Sequence, residues 1–240
     1  MPLFEKPGKQ EPSQIGVLFF AMLMALIGAF AGFRLLASIP PKPFESVADY
    51  ESNTKEYSQP AFLDPHYYRG AESPLNDWVQ KREIFLAASN ASVELADAEI
   101  NAWIASKFVK PRKPNYGDKR PSILLIPGLP NVFINASDGI SFSLLLEVFV
   151  FEKPYSFILI CKGKFSEEAP IRFEATSVRL NEALLPLSEE KKDRLLNAVL
   201  KPFYESDEFI ALKEAWENVE SVELIDNRIC LNLVHEAGAP

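Results

Sequence analysis

The chain has 240 residues, of which 48% are hydrophobic and 24% charged, a balance that is typical of a globular protein and excludes wholesale disorder. Acidic residues outnumber basic ones by 33 to 25, and because the net charge of −8 repels phosphate backbones, we expect no nucleic-acid partner. Two cysteines and two histidines are too few for a disulfide framework or a Cys/His metal cage, so we expect no metal site and no cofactor.

An uninterrupted apolar segment covers residues 15–33, after a short polar tail at residues 1–14. As an α-helix it spans about 28 Å, close to the ~30 Å hydrocarbon core of a bilayer. Further apolar residues continue it to position 39, and Pro40 and Pro41 end it. The pattern predicts a single transmembrane helix over residues 15–39, an uncleaved signal anchor whose partner is the lipid bilayer.

A cleaved signal peptide is the alternative, because Lys6 and Lys9 resemble its basic region and residues 29–31 read Ala-Phe-Ala. The apolar segment is longer than the usual signal core, which favours the anchor. Basic residues are nearly balanced on its two sides, and we expect the large C-terminal part on the extracytoplasmic (periplasmic) side. Gly28 and Gly32 form a GxxxG pair that suits a homodimer, although small residues are common in membrane helices.

Residues 40–73 are rich in proline and polar side chains and predict a semi-extended arm between the membrane and a domain. The arm has more aromatic residues than a plain spacer needs, so we expect some of them to pack on the domain surface. These are Phe44, Tyr50, Tyr57, Phe62, Tyr67 and Tyr68.

Residues 74–235 predict one α+β globular domain with an antiparallel sheet packed against several helices, followed by a tail at 236–240. Helical patterns, with Ser188 and Ser206 as N-caps of the last two, occur at 74–88, 97–109, 188–203 and after 206. Strand patterns joined by short turns occur at 122–126, 132–136, 140–151, 155–165 and 171–180, and a last one follows Asp226.

Two of these strands, 140–151 and 155–165, are apolar on both faces, whereas strand 171–180 alternates as a half-exposed strand does. Helices, the arm, a ligand or a partner must therefore cover the second face. If helices shield both faces, the result is a packed core without a ligand site; an uncovered slot would be an apolar groove. Its candidate lining residues are Leu145, Phe149, Phe151, Ile158 and Ile160.

A basic cluster at residues 107–121 stands out in an acidic protein. It is either a contact for anionic head groups or a solvated loop that keeps a proline-rich turn soluble. The candidate contacts are Lys110, Arg112, Lys113, Lys119 and Arg120.

The sequence has no nucleotide-binding, metalloprotease or nucleophile-elbow motif, and we expect no catalytic residue and no enzyme. Glu99 and Asn101, on the helix predicted at 97–109, are the best polar candidates for a specific role. The alternative for Asn101 is that its side chain ties this helix to a neighbouring backbone.

Three runs, WVQKREIFLAAS, VELADAEINAWIASKF and GLPNVFINASDGISFSLLLEV, resemble a group of bacterial single-pass membrane proteins. The resemblance implies an anchor and an extracytoplasmic α+β domain, and no activity. The order of elements is more distantly similar to tubular lipid-binding domains. Two functions follow as expectations: a non-catalytic domain that binds an apolar or lipid ligand, or an accessory subunit that binds another membrane-anchored protein through an apolar face.

Overall fold

The computed structural model describes residues 14–45, 66–69, 76–89, 91–112, 122–135, 139–150, 153–167 and 170–234. It confirms the α+β prediction, with an apolar N-terminal helix and antiparallel sheets packed against helices. The N-terminal elements are α1 (Gln14–Ser38), β1 (Lys42–Phe44), β2 (His66–Tyr68), α2 (Asp77–Leu86), β3 (Ser92–Ala96) and α3 (Asp97–Lys107).

A run of strands follows, and helices and a hairpin complete the chain. The strands are β4 (Ile123–Pro127), β5 (Asn131–Asn135), β6 (Gly139–Val150), β7 (Lys153–Phe165), β8 (Phe173–Leu180) and β9 (Ala183–Leu184). The last elements are α4 (Glu189–Leu200), a 3₁₀ turn (Lys201–Phe203), α5 (Asp207–Trp216), β10 (Val219–Ile225) and β11 (Arg228–Leu233).

The sequence predicts one antiparallel sheet, whereas the described residues form two antiparallel sheets. A six-stranded sheet has the order β4-β6-β7-β8-β9, with β5 also paired to β6, and a three-stranded sheet has the order β10-β11-β3. The three-stranded sheet was not predicted, because its strands β3 and β11 are separated by more than half the chain. Leu95 on β3, for example, pairs with Ile229 on β11. Local periodicity carries no information on such a pairing.

Strands β4 and β5 share one edge of β6 and are separated by a break at residues 128–130. At the break the Gly128 N–H donates to the Leu145 carbonyl at 2.6 Å. A Cβ on Gly128 would lie 3.2 Å from that oxygen, so glycine allows the close approach.

Helix α1 is long and apolar enough to cross a membrane, and an 18-residue stretch within residues 15–38 has a mean hydropathy of 2.4. It is the only such helix in the part of the chain that the structure describes. The side chains of α1 are exposed from Ile15 as far as the last turn of the helix. In that turn, Ala37 is buried against the domain. Gly28 and Gly32 face open space.

Two aromatic residues of the arm pack on the domain, as expected. The ring of Phe44 lies 4.8 Å from that of Phe133 on β5, and the Tyr68 ring lies 5.3 Å from Phe133. The Ser143 hydroxyl donates to the Tyr68 carbonyl at 3.0 Å. Burial, aided by the charge of Asp97, raises the pKa of Tyr68 to about 12. The described parts of the arm therefore cover part of the sheet face that contains Ser143.

The helix starts follow the predicted capping only in part. The Ser206 hydroxyl accepts from the Phe209 N–H at 3.2 Å, as predicted. Ser188 occupies an N-cap position without a side-chain bond. At α3 the N-cap is Ala96, whose N–H donates to the Glu99 carboxylate at 2.8 Å. Glu99 also pairs with Lys81 at 2.6 Å, so both of its contacts are structural.

Candidate functional site: an apolar cavity between two core clusters

The apolar core is divided into two main clusters. One cluster packs α2, α3 and α5 against the three-stranded sheet, with Phe85 and Trp103 among its buried residues. The other packs α4 on the six-stranded sheet, with Leu144, Leu159 and Val199 buried. Phe173 packs against both clusters. A cavity of about 910 Å³ lies where the two clusters meet.

Most of the cavity wall is hydrocarbon and aromatic ring. Many of its side chains are only half-buried, because they face the cavity and not a packed neighbour. The apolar lining consists of Phe85, Leu95, Ile100, Trp103, Ile104, Phe108, Pro130, Val132, Ile140, Phe142, Phe165, Phe173, Leu196, Leu200, Phe203, Phe209, Leu212, Trp216, Ile229 and Leu231.

Helix α3 forms one side of the cavity and is tied to strand β5 through Asn101. The Asn101 amide donates to the Val132 carbonyl at 2.8 Å, and its oxygen accepts from the Val132 N–H at 2.7 Å. This confirms the interpretation that Asn101 ties the helix to a neighbouring backbone. The two bonds set the position of Ile100, Trp103 and Ile104 on the cavity wall.

Glu208, at the start of α5, joins three helices behind the same wall. Both of its oxygens accept from Arg82 on α2 at 2.6 Å, and one also accepts from the Trp103 indole N–H at 2.5 Å. Burial alone would raise the pKa of Glu208, but the hydrogen bonds from Arg82 and Trp103 and the charge of Arg82 lower it overall. The carboxylate is therefore ionised, and the hydrogen bonds that both of its oxygens accept hold the three helices together.

Helix α4 closes the opposite side of the cavity and is held on β8 by Lys192. The buried Lys192 ammonium donates to the carbonyls of Ala175 and Thr176 at 3.1 and 2.9 Å. Its third bond goes to Glu189 at 2.7 Å. All three of its donors are satisfied, so this lysine is a structural clamp and not a free cation in the cavity.

The polar lining residues lie at the start of β8 and along α4. They are Arg172, Glu174, Glu189, Asp193 and Asn197. Arg172 and Glu174 form an exposed ion pair at 3.5 Å. The arrangement is amphipathic: an apolar body of the cavity with polar groups on one side, next to solvent.

The predicted groove residues lie on the other face of the six-stranded sheet. Leu145 pairs with Ile158, whereas their neighbours Leu144 and Leu159 pair on the face that packs against α4. Leu145 is 37% exposed, Ile160 is 3% exposed, and Phe149 and Ile158 are half-buried. Phe151 lies outside the described residues. None of the four described residues lines the cavity.

The predicted head-group contacts are only partly described. Lys110 is exposed and pairs with Glu147 at 3.1 Å, and Arg112 is exposed. Lys113, Lys119 and Arg120 lie outside the described residues. Neither Lys110 nor Arg112 is among the residues that line the cavity.

Sequence reasoning missed most of the aromatic residues in the cavity, including Phe108, Phe165, Phe203 and Phe209. The available signal was the count of 18 phenylalanines in a 240-residue chain, spread over helices and strands that are distant in sequence. Periodicity assigns such residues to a core but cannot show where packing leaves space.

Among the described residues no three His, Cys, Asp or Glu side chains lie together as a metal site would require. Both cysteines are free and buried, and burial raises the pKa of Cys161 to about 12, so this thiol is protonated at neutral pH.

Comparison of the chain with protein-family models, with curated proteins and with solved structures found no match. The resemblance to bacterial single-pass membrane proteins and the likeness to tubular lipid-binding domains therefore stay predictions.

Proposed function

We propose that this protein is a membrane-anchored, non-catalytic domain that binds an apolar or lipid ligand in the cavity between its two core clusters. The observation that carries the proposal is the cavity itself. Its volume of about 910 Å³ falls in the range of small-molecule sites, about 300–1,000 Å³, and its wall is aromatic and aliphatic. Helix α1 supplies the anchor, and the domain lies on the extracytoplasmic side.

The polar side of the cavity indicates how a ligand would be oriented. A hydrocarbon body would occupy the space between Ile104, Phe142 and Phe173, where it replaces water against apolar surface. A polar end would lie near Asp193 and Asn197 on α4, next to solvent. A ligand with both parts, such as a lipid, matches this arrangement better than a uniformly apolar one.

Native mass spectrometry of the full-length protein, released from detergent micelles, tests this function. The wild type should retain a bound lipid, and Ile104→Trp should weaken its retention because the larger indole projects into the space between Ile104, Phe142 and Phe173 where the hydrocarbon body would lie. Ile225→Trp is the matched control, because Ile225 is 49% exposed on the three-stranded sheet. This substitution should leave the lipid adduct unchanged. A wild type that retains nothing, although folded, would refute the ligand function.

An exposed apolar patch supports the accessory-subunit function as a second candidate. Ile123 and Tyr155 are 62% and 49% exposed, and cross-strand pairing places them on one sheet face with Leu125, Val148 and Val150. A patch of this kind suits a protein partner. If the patch carries function, Ile123→Glu should abolish a complex isolated from native membranes, and Ile104→Trp should leave that complex intact.

A further inference from the structure

The side chain of Asn181 joins the six-stranded sheet to the last turn of α1. Its amide donates to the Ala37 carbonyl at 2.6 Å, and its oxygen accepts from the Ile158 N–H at 2.7 Å. The Asn181 N–H in turn donates to the Ile158 carbonyl at 2.7 Å. Asn181 has a φ of +52°, a left-handed conformation that asparagine tolerates better than most residues and that turns its amide toward α1.

The contact lies at a defined height along α1. From Ile15 to Ala37 the helix rises about 33 Å, a little more than the ~30 Å hydrocarbon core. If Ile15 lies at one boundary of the core, Ala37 lies in the head-group layer on the other side. Ala37 is 7% exposed, and β9 also contacts α1, so this end of the helix is docked on the domain.

We propose that the turn formed by residues 181–184 is the surface through which the domain contacts the bilayer, with Leu184 in the interfacial layer. Leu184 is 51% exposed, whereas its neighbour Ala183 is fully buried. Leu184 pairs with Arg179 and Ala183 pairs with Leu180, so the two side chains project from opposite faces of the sheet, and the strand that contains them contacts α1. The occupant is lipid because the chain's own apolar helix ends against this turn, which makes the surface continuous with the bilayer.

This inference rests on the anchor part of the proposed function and is independent of the cavity. It gives the anchor a second role. A flexible tether would let the domain turn freely, whereas the bonds of Asn181 to Ala37 and Ile158 hold it in one orientation on the membrane.

A depth measurement on the full-length chain tests the inference. Leu184→Cys is labelled with an NBD fluorophore in vesicles of phosphatidylcholine and phosphatidylglycerol, some carrying a shallow nitroxide on the lipid. Ile225→Cys is the matched control, because Ile225 is 49% exposed on the three-stranded sheet. Both native cysteines are buried, and the unsubstituted chain should take up no label. We expect blue-shifted emission at position 184 and nitroxide quenching several-fold stronger than at 225.

Equal quenching by lipid nitroxide and by aqueous iodide at the two positions would overturn the inference. Blue-shifted emission without nitroxide quenching would also overturn it, since a protein would then cover the turn. Flotation of the vesicles shows separately whether the chain is anchored, so a failed anchor is distinguished from a failed contact.

A second variant tests whether Asn181 orients the domain. Asn181→Asp keeps an oxygen for the Ile158 N–H and tolerates a left-handed φ, but a carboxylate cannot donate to Ala37. In this background the quenching at position 184 should fall toward the level of the control position. Unchanged quenching would show that Asn181 does not orient the domain.

Discussion

The indole N–H of Trp103 donates to the carboxylate of Glu208 across 105 residues of sequence, joining α3 to α5 behind the cavity wall. Arg82 on α2 donates to both oxygens of the same carboxylate, so a single acidic side chain holds three helices together. The side chains of a cavity wall lack packing neighbours on one side, and the hydrogen bonds of Glu208 compensate for this by fixing the positions of the three helices.

Trp103→Ala should lower the free energy of unfolding by about 3–5 kcal/mol, because it removes a large side chain that is 6% exposed. Trp103→Phe keeps most of the apolar contact and loses only the bond to Glu208, for which we expect about 1.5–3 kcal/mol. Urea unfolding of the full-length protein in mild detergent, followed by far-ultraviolet circular dichroism, measures both. Equal losses in the two variants would show that the hydrogen bond, and not packing, is what Trp103 contributes.

Acid should weaken the interactions of the Glu208 carboxylate with Arg82 and Trp103. The folded pKa of Glu208 lies below its ordinary value of 4.5, so its stabilisation is complete above that pH and is lost as the pH falls through the lowered folded pKa. Glu208→Gln should therefore be less stable than the wild type at neutral pH, and the difference should shrink on acidification below pH 4.5. Thermal unfolding across this range tests the sign. Glu190→Gln is the control: it removes only an exposed ion pair with Arg194 on α4, so we expect little loss of stability at neutral pH.

Asn101→Ala should destabilise the domain by about 1–3 kcal/mol, because it leaves the N–H and carbonyl of Val132 without their partners. Ser106→Ala, at an exposed position of the same helix, should change stability by less than about 0.5 kcal/mol. Denaturant unfolding compares the two variants. A small loss for Asn101→Ala would show that water replaces the side chain at β5.

Leu26→Asp should impair membrane insertion by roughly 3 kcal/mol, because it places a carboxylate near the centre of α1. Leu26→Ala is the control, with little effect expected from an apolar replacement. Carbonate extraction of membranes, followed by detection of full-length chain, measures the insertion. Recovery of wild-type protein in the soluble fraction with its N-terminus intact would contradict the anchor.

The sequence by itself was sufficient wherever a local pattern carries the information. The uninterrupted apolar run at residues 15–33 identifies a helix long enough for a membrane, and apolar runs bounded by turn residues locate β6, β7 and β8 to within two residues. The contact of Asn101 with a neighbouring backbone could also be predicted from the sequence, since a buried amide in a helix needs a backbone partner. These features depend on neighbours in sequence, whose spacing is set by helix and strand geometry.

Only the tertiary structure decided which distant residues meet. The pairing of β3 with β11, the contact of Asn181 with Ala37 across 144 residues and the cavity between two clusters all depend on long-range packing. The doubly apolar strands show the limit most clearly: the pattern at Leu144 and Leu145 indicates that both faces need cover, but not that α4 covers one and that the arm packs over part of the other. Apolar burial is non-directional, so a sequence specifies that a surface is buried, and only the folded chain specifies by what.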